Sequence, residues 1–196
     1  MRRTSRAISL EYFGSLWMVV EVVGAIGAGL ASGSLALLAF GGDSVVELLS
    51  SFVVFAHLRG DVTGSTGLGR RTSAIATALL IAIIPIIGLG AVYSYSTGMR
   101  PEGSLLGIAI AIGAVAIMPY LWLAKRKIGR ETNCLPLTID AVESATCFFM
   151  SVALLGGLLA EYLLRVWWAD YVAAAVILAF VAREAAEAYG EMKVER

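Results

Sequence analysis

The sequence predicts an all-α membrane protein, a six-transmembrane-helix bundle with both termini on the cytoplasmic side. Three observations predict it. Of 196 residues, 59% are hydrophobic and 15% charged, and the mean hydropathy is +0.82, outside the balance of a water-soluble domain. The apolar residues fall into six long runs, and the basic residues gather in alternate connections between them. Fifteen basic and fifteen acidic side chains cancel, which leaves no net charge to attract a nucleic acid.

A transmembrane helix needs roughly 20 mainly apolar residues to cross a hydrocarbon core of about 30 Å. Cutting the chain where glycine, proline and charge interrupt such runs gives spans at Ile8 to Ala31, Ser34 to Leu58, Thr72 to Ser94, Ser104 to Ala124, Leu135 to Ala160, and Val166 to about Glu187. Arg2, Arg3 and Arg6 ahead of the first run resemble a signal peptide, but that run is too long for one and five more follow it. Residues 1–190 are therefore read as one six-helix transmembrane domain, and 191–196 as a short cytoplasmic tail with no soluble C-terminal domain.

The orientation comes from charge. Arg2, Arg3 and Arg6 precede span one, Arg59, Arg70 and Arg71 follow span two, and Lys125, Arg126, Lys127 and Arg130 follow span four. The opposite side has only Arg100 and Arg165, so the positive-inside rule puts the basic loops in the cytoplasm. Tyr93, Tyr95, Tyr162, Trp167 and Trp168 fall near the outer ends, where amphipathic rings favour the headgroups. Pro85 and Pro119 predict bends inside spans three and four. Gly24, Gly27, Gly29 and Gly33, with Ala25 and Ala28, predict a small-residue packing face on span one.

Ionisable groups in hydrocarbon are costly and call for a function. Asp43 and Glu47 in span two are four residues apart and share a helical face, as do Asp140, Glu143 and Cys147 in span five. Two carboxylates facing a carboxylate and a potential thiolate supply the four ligands of a tetrahedral metal site. The competing reading, acids paired with bases to hold the bundle together, needs a lysine or arginine at matching depth, and no span as drawn places one there. Asp140, one turn before Glu143, suits either a ligand or a gate on the cytoplasmic side. Cys134 and Cys147 are too few to form a disulfide framework.

These residues carry a family resemblance. Glu21-Val22-Val23-Gly24, then Ser32-Gly33-Ser34-Leu35-Ala36-Leu37-Leu38-Ala39 and Asp43-Ser44-x-x-Glu47, resemble the first two helices of the cation diffusion facilitator (cation efflux) family. That family's second helix typically reads Ala-Asp-x-x-His-x-x-x-Asp; here Phe40 replaces the early aspartate, and Asp43 and Glu47 take the histidine and aspartate places. Its fifth-helix pattern, Ala-Asp-Ala-x-x-His-x-x-x-Asp, is similar to Ile139-Asp140-Ala141-Val142-Glu143 running on to Cys147. The start of span six, Trp168-Ala169-Asp170, is also similar. The resemblance implies transport of a divalent metal cation and a homodimer held by span three. The departures, no histidine in the site and Cys147 for aspartate, leave the metal open among zinc, iron, cobalt and manganese.

Other polar residues are read singly. Glu21, mid-span in helix one, either faces the cation path or packs. His57 with Asp61 four residues on resembles a loop site of some relatives, though a lone interfacial histidine is commonly just solvated. Asp170 reads as the N-terminal cap of span six. Buried carboxylates this close cannot all stay ionised without a cation, so an empty site holds protons that an arriving metal expels. The rival functions are a metal-binding membrane regulator that does not transport, and a proton-coupled carrier of small organic cations. An enzyme is not expected, since no serine, cysteine or histidine group pairs a nucleophile with a base.

Overall fold

The computed structural model describes residues 2–58, 66–132 and 134–194, with side chains given over 6–52, 54–55, 74–132, 134 and 136–190. These form six helices and no strand: α1 (Arg2–Ser32), α2 (Leu35–Leu58), α3 (Thr66–Thr97), α4 (Leu105–Thr132), α5 (Leu135–Leu164) and α6 (Trp168–Val194). Five contain stretches long and apolar enough to cross a membrane, at Arg6–Ser32, Leu35–Phe52, Ala74–Thr97, Leu105–Thr132 and Pro136–Leu164. The sixth, α6, carries Asp170, Arg183, Glu184 and Glu187 along its length. It joins the bundle through one face, on which Asp170, Ala173, Ala174, Ile177, Val181 and Ala185 recur at helical spacing and are all buried.

The helices alternate in direction. At one end, Ala7 of α1, Val54 of α2 and Leu137 of α5 pack together, and Lys125 near the end of α4 reaches Glu11 of α1. At the other, the Glu102 N–H before α4 donates to the Ser32 carbonyl closing α1, and the Tyr171 hydroxyl near the start of α6 donates to Met99 O beyond α3. Large apolar side chains such as Val23, Ile86, Leu89, Leu105 and Leu163 point outward and are exposed on α1, α3, α4 and α5. That is the inversion expected where lipid is the solvent. Pro85 and Pro119 lie inside continuous helices.

The small-residue face of α1 is realised in part. A Cβ at Gly29 would crowd Leu38, and one at Gly24 would collide with Ile110, whereas Gly27 faces open space and Gly33 makes the α1–α2 turn at φ +69°. The closest approach between the α1 and α2 backbones lies at a glycine of α2. A Cβ at Gly41 would stand 2.7 Å from Ile26 Cγ1 and 3.1 Å from the Ile26 backbone nitrogen, so α1 and α2 meet nearly backbone to backbone. The aromatic residues expected near the outer ends gather there: Tyr93, Tyr95, Tyr162 and Trp168 are exposed, and the Arg100 guanidinium lies 5.2 Å from the Trp167 ring centroid.

Two expectations are corrected. Asp170 is not the cap of its own helix: it lies within α6 and its carboxylate accepts from Ser34 Oγ at 2.5 Å and from the backbone N–H of Leu35 at 2.9 Å, capping α2. Lys125 is not a loop residue, because α4 runs on to Thr132 and the lysine side chain is fully buried. A cation therefore does lie among the buried acids, and pairing holds at least one of them.

Candidate metal site

The site is built where α1, α2 and α5 face one another, with α6 behind. On α2, Asp43, Ser44, Glu47 and Ser51 are all buried, one helical stripe kept from lipid by its neighbours. On α5, Asp140, Ser144, Cys147 and Ser151 form the corresponding stripe. The serine hydroxyls there are satisfied locally, Ser144 by Asp140 O and Ser151 by Cys147 O. This leaves the ionisable groups to face the interior.

Glu21 of α1, Glu47 of α2 and Cys147 of α5 converge, each offering one ligand atom, with all three atoms within 4.8 Å of one another. Ligands bound to a tetrahedral zinc ion at about 2.0–2.3 Å stand roughly 3.3–3.8 Å apart, so small side-chain rotations close this group around an ion. Glu21 is already held. Its Oε1 accepts from Trp17 Nε1 and its Oε2 from Ser44 Oγ at 3.3 Å. Neither carboxylate oxygen of Glu47, and neither of Asp43, has a hydrogen-bond partner among the described residues. Buried polar atoms without partners are rare, and a group of them calls for protons, water or an ion to satisfy it.

The four residues read from the sequence do not meet at a single point. Glu47 and Cys147 do, joined by Glu21. Asp43 is turned toward Glu184 of α6, which also approaches Thr146, and Glu143, half-buried, lies within the same acidic neighbourhood and beside Ser50. Asp140 is engaged elsewhere. Its Oδ2 lies 2.5 Å from Lys125 Nζ, whereas the Cys147 sulfur is among the three converging atoms. The His57 side chain and Asp61 lie outside the described residues. Both cysteines are free.

Glu184 went unremarked in the sequence because it lies beside Arg183 and Glu187 in a polar run that reads as a solvated helix end. The detectable signal was its register, three residues after buried Val181 and seven after buried Ile177. Glu21 had a clearer signal as the mid-span acid of the first run.

A profile of the family described as "Cation efflux transmembrane domain" matches residues 13–189, nearly the whole chain. The chain belongs to the cation efflux family. It is accordingly an integral, multi-pass membrane protein and a cation transporter of that family, whose substrates are divalent metal cations. No curated protein matches this member in sequence. The α2 and α5 stripes of this cation efflux protein lie on the helices where the resemblance expects metal ligands, and Glu21 of α1 lies beside them.

Proposed function

We propose that this cation efflux protein carries a divalent transition metal, zinc foremost, in exchange for protons through an intramembrane site between α2 and α5 to which α1 contributes. The convergence of Glu21, Glu47 and Cys147 carries the reading. Two carboxylates with a thiolate make a borderline-soft set, suited to zinc, cobalt or ferrous iron over magnesium or calcium. Asp43 and Glu143 supply the adjoining carboxylates, and the ion shifts onto them as the helices rock.

Protons provide the coupling. Uncompensated carboxylates in a water-poor interior are too costly to remain charged together, so the empty site carries protons and a bound metal replaces them. With the basic termini and loops in the cytoplasm, metal loaded from that side is expelled by protons arriving from the other. A second copy packs through α3, which rests on α2 and α6 and leaves Ile81, Ile86 and Leu89 exposed.

The test is flux in proteoliposomes with a panel of divalent metals and an internal pH dye. Zinc uptake accompanied by proton movement is expected, and Asp43→Asn or Glu47→Gln should abolish most of it at equal incorporation. Wild-type flux in both variants would remove the site assignment. Tight metal binding without any flux would make the protein a metal-binding regulator, and transport indifferent to zinc or manganese would point to an organic cation.

A further inference from the structure

A second charged cluster lies on the side of the basic loops. Lys125 of α4 is completely buried, its ammonium 2.5 Å from Asp140 Oδ2 of α5 and 3.7 Å from Glu11 Oε1 of α1. Written as ions, two carboxylates face one ammonium, and one negative charge is left over in a fully enclosed place. Neither oxygen of Glu11 has a hydrogen-bond partner among the described residues, although its side chain is 0% exposed. A buried charge left unmatched in this way is strongly unfavourable, so the cluster takes up one more positive charge, a proton or a metal cation.

Its position gives that deficit a use. Asp140 precedes Cys147 by seven residues on α5, and Glu11 precedes Glu21 by ten on α1, distances of about 10 Å and 15 Å along the two axes at about 1.5 Å per residue. Both acids thus lie on the cytoplasmic approach to the Glu21–Glu47–Cys147 group, on two of the helices that form it. An ion travelling from the basic side between α1, α4 and α5 meets Glu11 and Asp140 before that group.

We propose that Glu11 and Asp140 form a second cation station ahead of the central site, and that the Lys125 ammonium is its tethered resident, displaced when a divalent metal arrives. Lys125 then works as a plug. It keeps the two acids together between passages, and its departure opens the approach. The all-oxygen station takes hard or borderline divalent ions such as manganese with less discrimination than the sulfur-containing site beyond it. The idea rests on the transport reading above, but binding at the station is measurable without transport.

Manganese(II) is the probe, followed by electron paramagnetic resonance on the full chain in nanodiscs, with Glu47→Gln silencing the central site. Adding Lys125→Gln should tighten Mn2+ binding at least tenfold, Lys125→Arg should not, and a further Glu11→Gln should abolish the gain. An unchanged affinity in Lys125→Gln, or a gain that survives Glu11→Gln, overturns the proposal and leaves a proton as the missing charge. Should Lys125→Gln fail to fold, Glu11→Gln alone decides in sided proteoliposomes. It should raise half-saturating metal at least fivefold from the basic-loop face and leave the opposite face unaffected; no change, or equal change on both faces, overturns the station. If the wild type itself moves no metal, the transport reading fails while the Mn2+ titration still reads the station.

Discussion

The carboxylate of Asp170 lies 2.9 Å from the backbone nitrogen of Leu35 and ties the first turn of α6 to the first turn of α2. Ser34 completes the arrangement, donating its hydroxyl to Asp170 and accepting from Leu37 N at 3.1 Å. Removing the acid strands buried donors at a helix start, which costs about 1–3 kcal/mol. Asp170→Ala should lower thermal stability in detergent accordingly, with Asp170→Asn recovering part of the loss. An unshifted unfolding temperature in Asp170→Ala would show that the cap contributes nothing.

Glu21 should behave as a ligand and not as packing. Glu21→Gln keeps the shape and the Trp17 and Ser44 contacts within reach but removes the charge, and should weaken zinc binding by at least tenfold. Trp17→Phe removes the donor that orients Glu21 together with part of a ring that packs on the core; losing the partner that orients a metal ligand costs about 10–100-fold in metal affinity. Calorimetric titration of both variants distinguishes the cases, since a pure packing role predicts wild-type zinc affinity in Glu21→Gln.

Cys147 should set the metal ranking. Replacing it by aspartate converts the group to oxygen ligands and should favour manganese relative to zinc while transport continues. Bound zinc should also protect the wild-type thiol from alkylation. The opposing expectation is a small buried apolar residue, a common role for free cysteine. In that case Cys147→Ala and Cys147→Asp would both keep the wild-type zinc-to-manganese flux ratio.

Gly41 should tolerate no side chain. Ile26 stands where even a methyl group would go, with its backbone nitrogen close behind, so Gly41→Val must push α1 from α2 at a cost of about 1–3 kcal/mol. Because Ser44, which holds Glu21, is one turn further along α2, the same change should weaken zinc binding. Gly27→Ala, facing open space, is the control and should alter neither.

Topology mapping should put the α2–α3 and α4–α5 connections and both ends in the cytoplasm, and residues 97–104 outside. Arg126, Lys127 and Arg130 remain exposed, so the charge asymmetry survives the burial of Lys125. Cysteine labelling that places the two ends on opposite faces would overturn the orientation.

The sequence by itself determined the class of this protein, the six helices and the two acidic stripes. Those properties depend on composition and on spacing within one helix, where 3.6 residues per turn puts Asp43 with Glu47 and Asp140 with Cys147 regardless of the surroundings. Pairing between helices depends on rotation, tilt and depth, which local spacing does not encode. Only the tertiary structure decided that Cys147 meets Glu47 and Glu21, that Asp43 turns to Glu184, and that Asp170 caps α2. It likewise decided that Lys125, one residue past the fourth apolar run, is drawn inward to Asp140: α4 continues beyond that run, and a four-carbon stem carries the ammonium into the bundle.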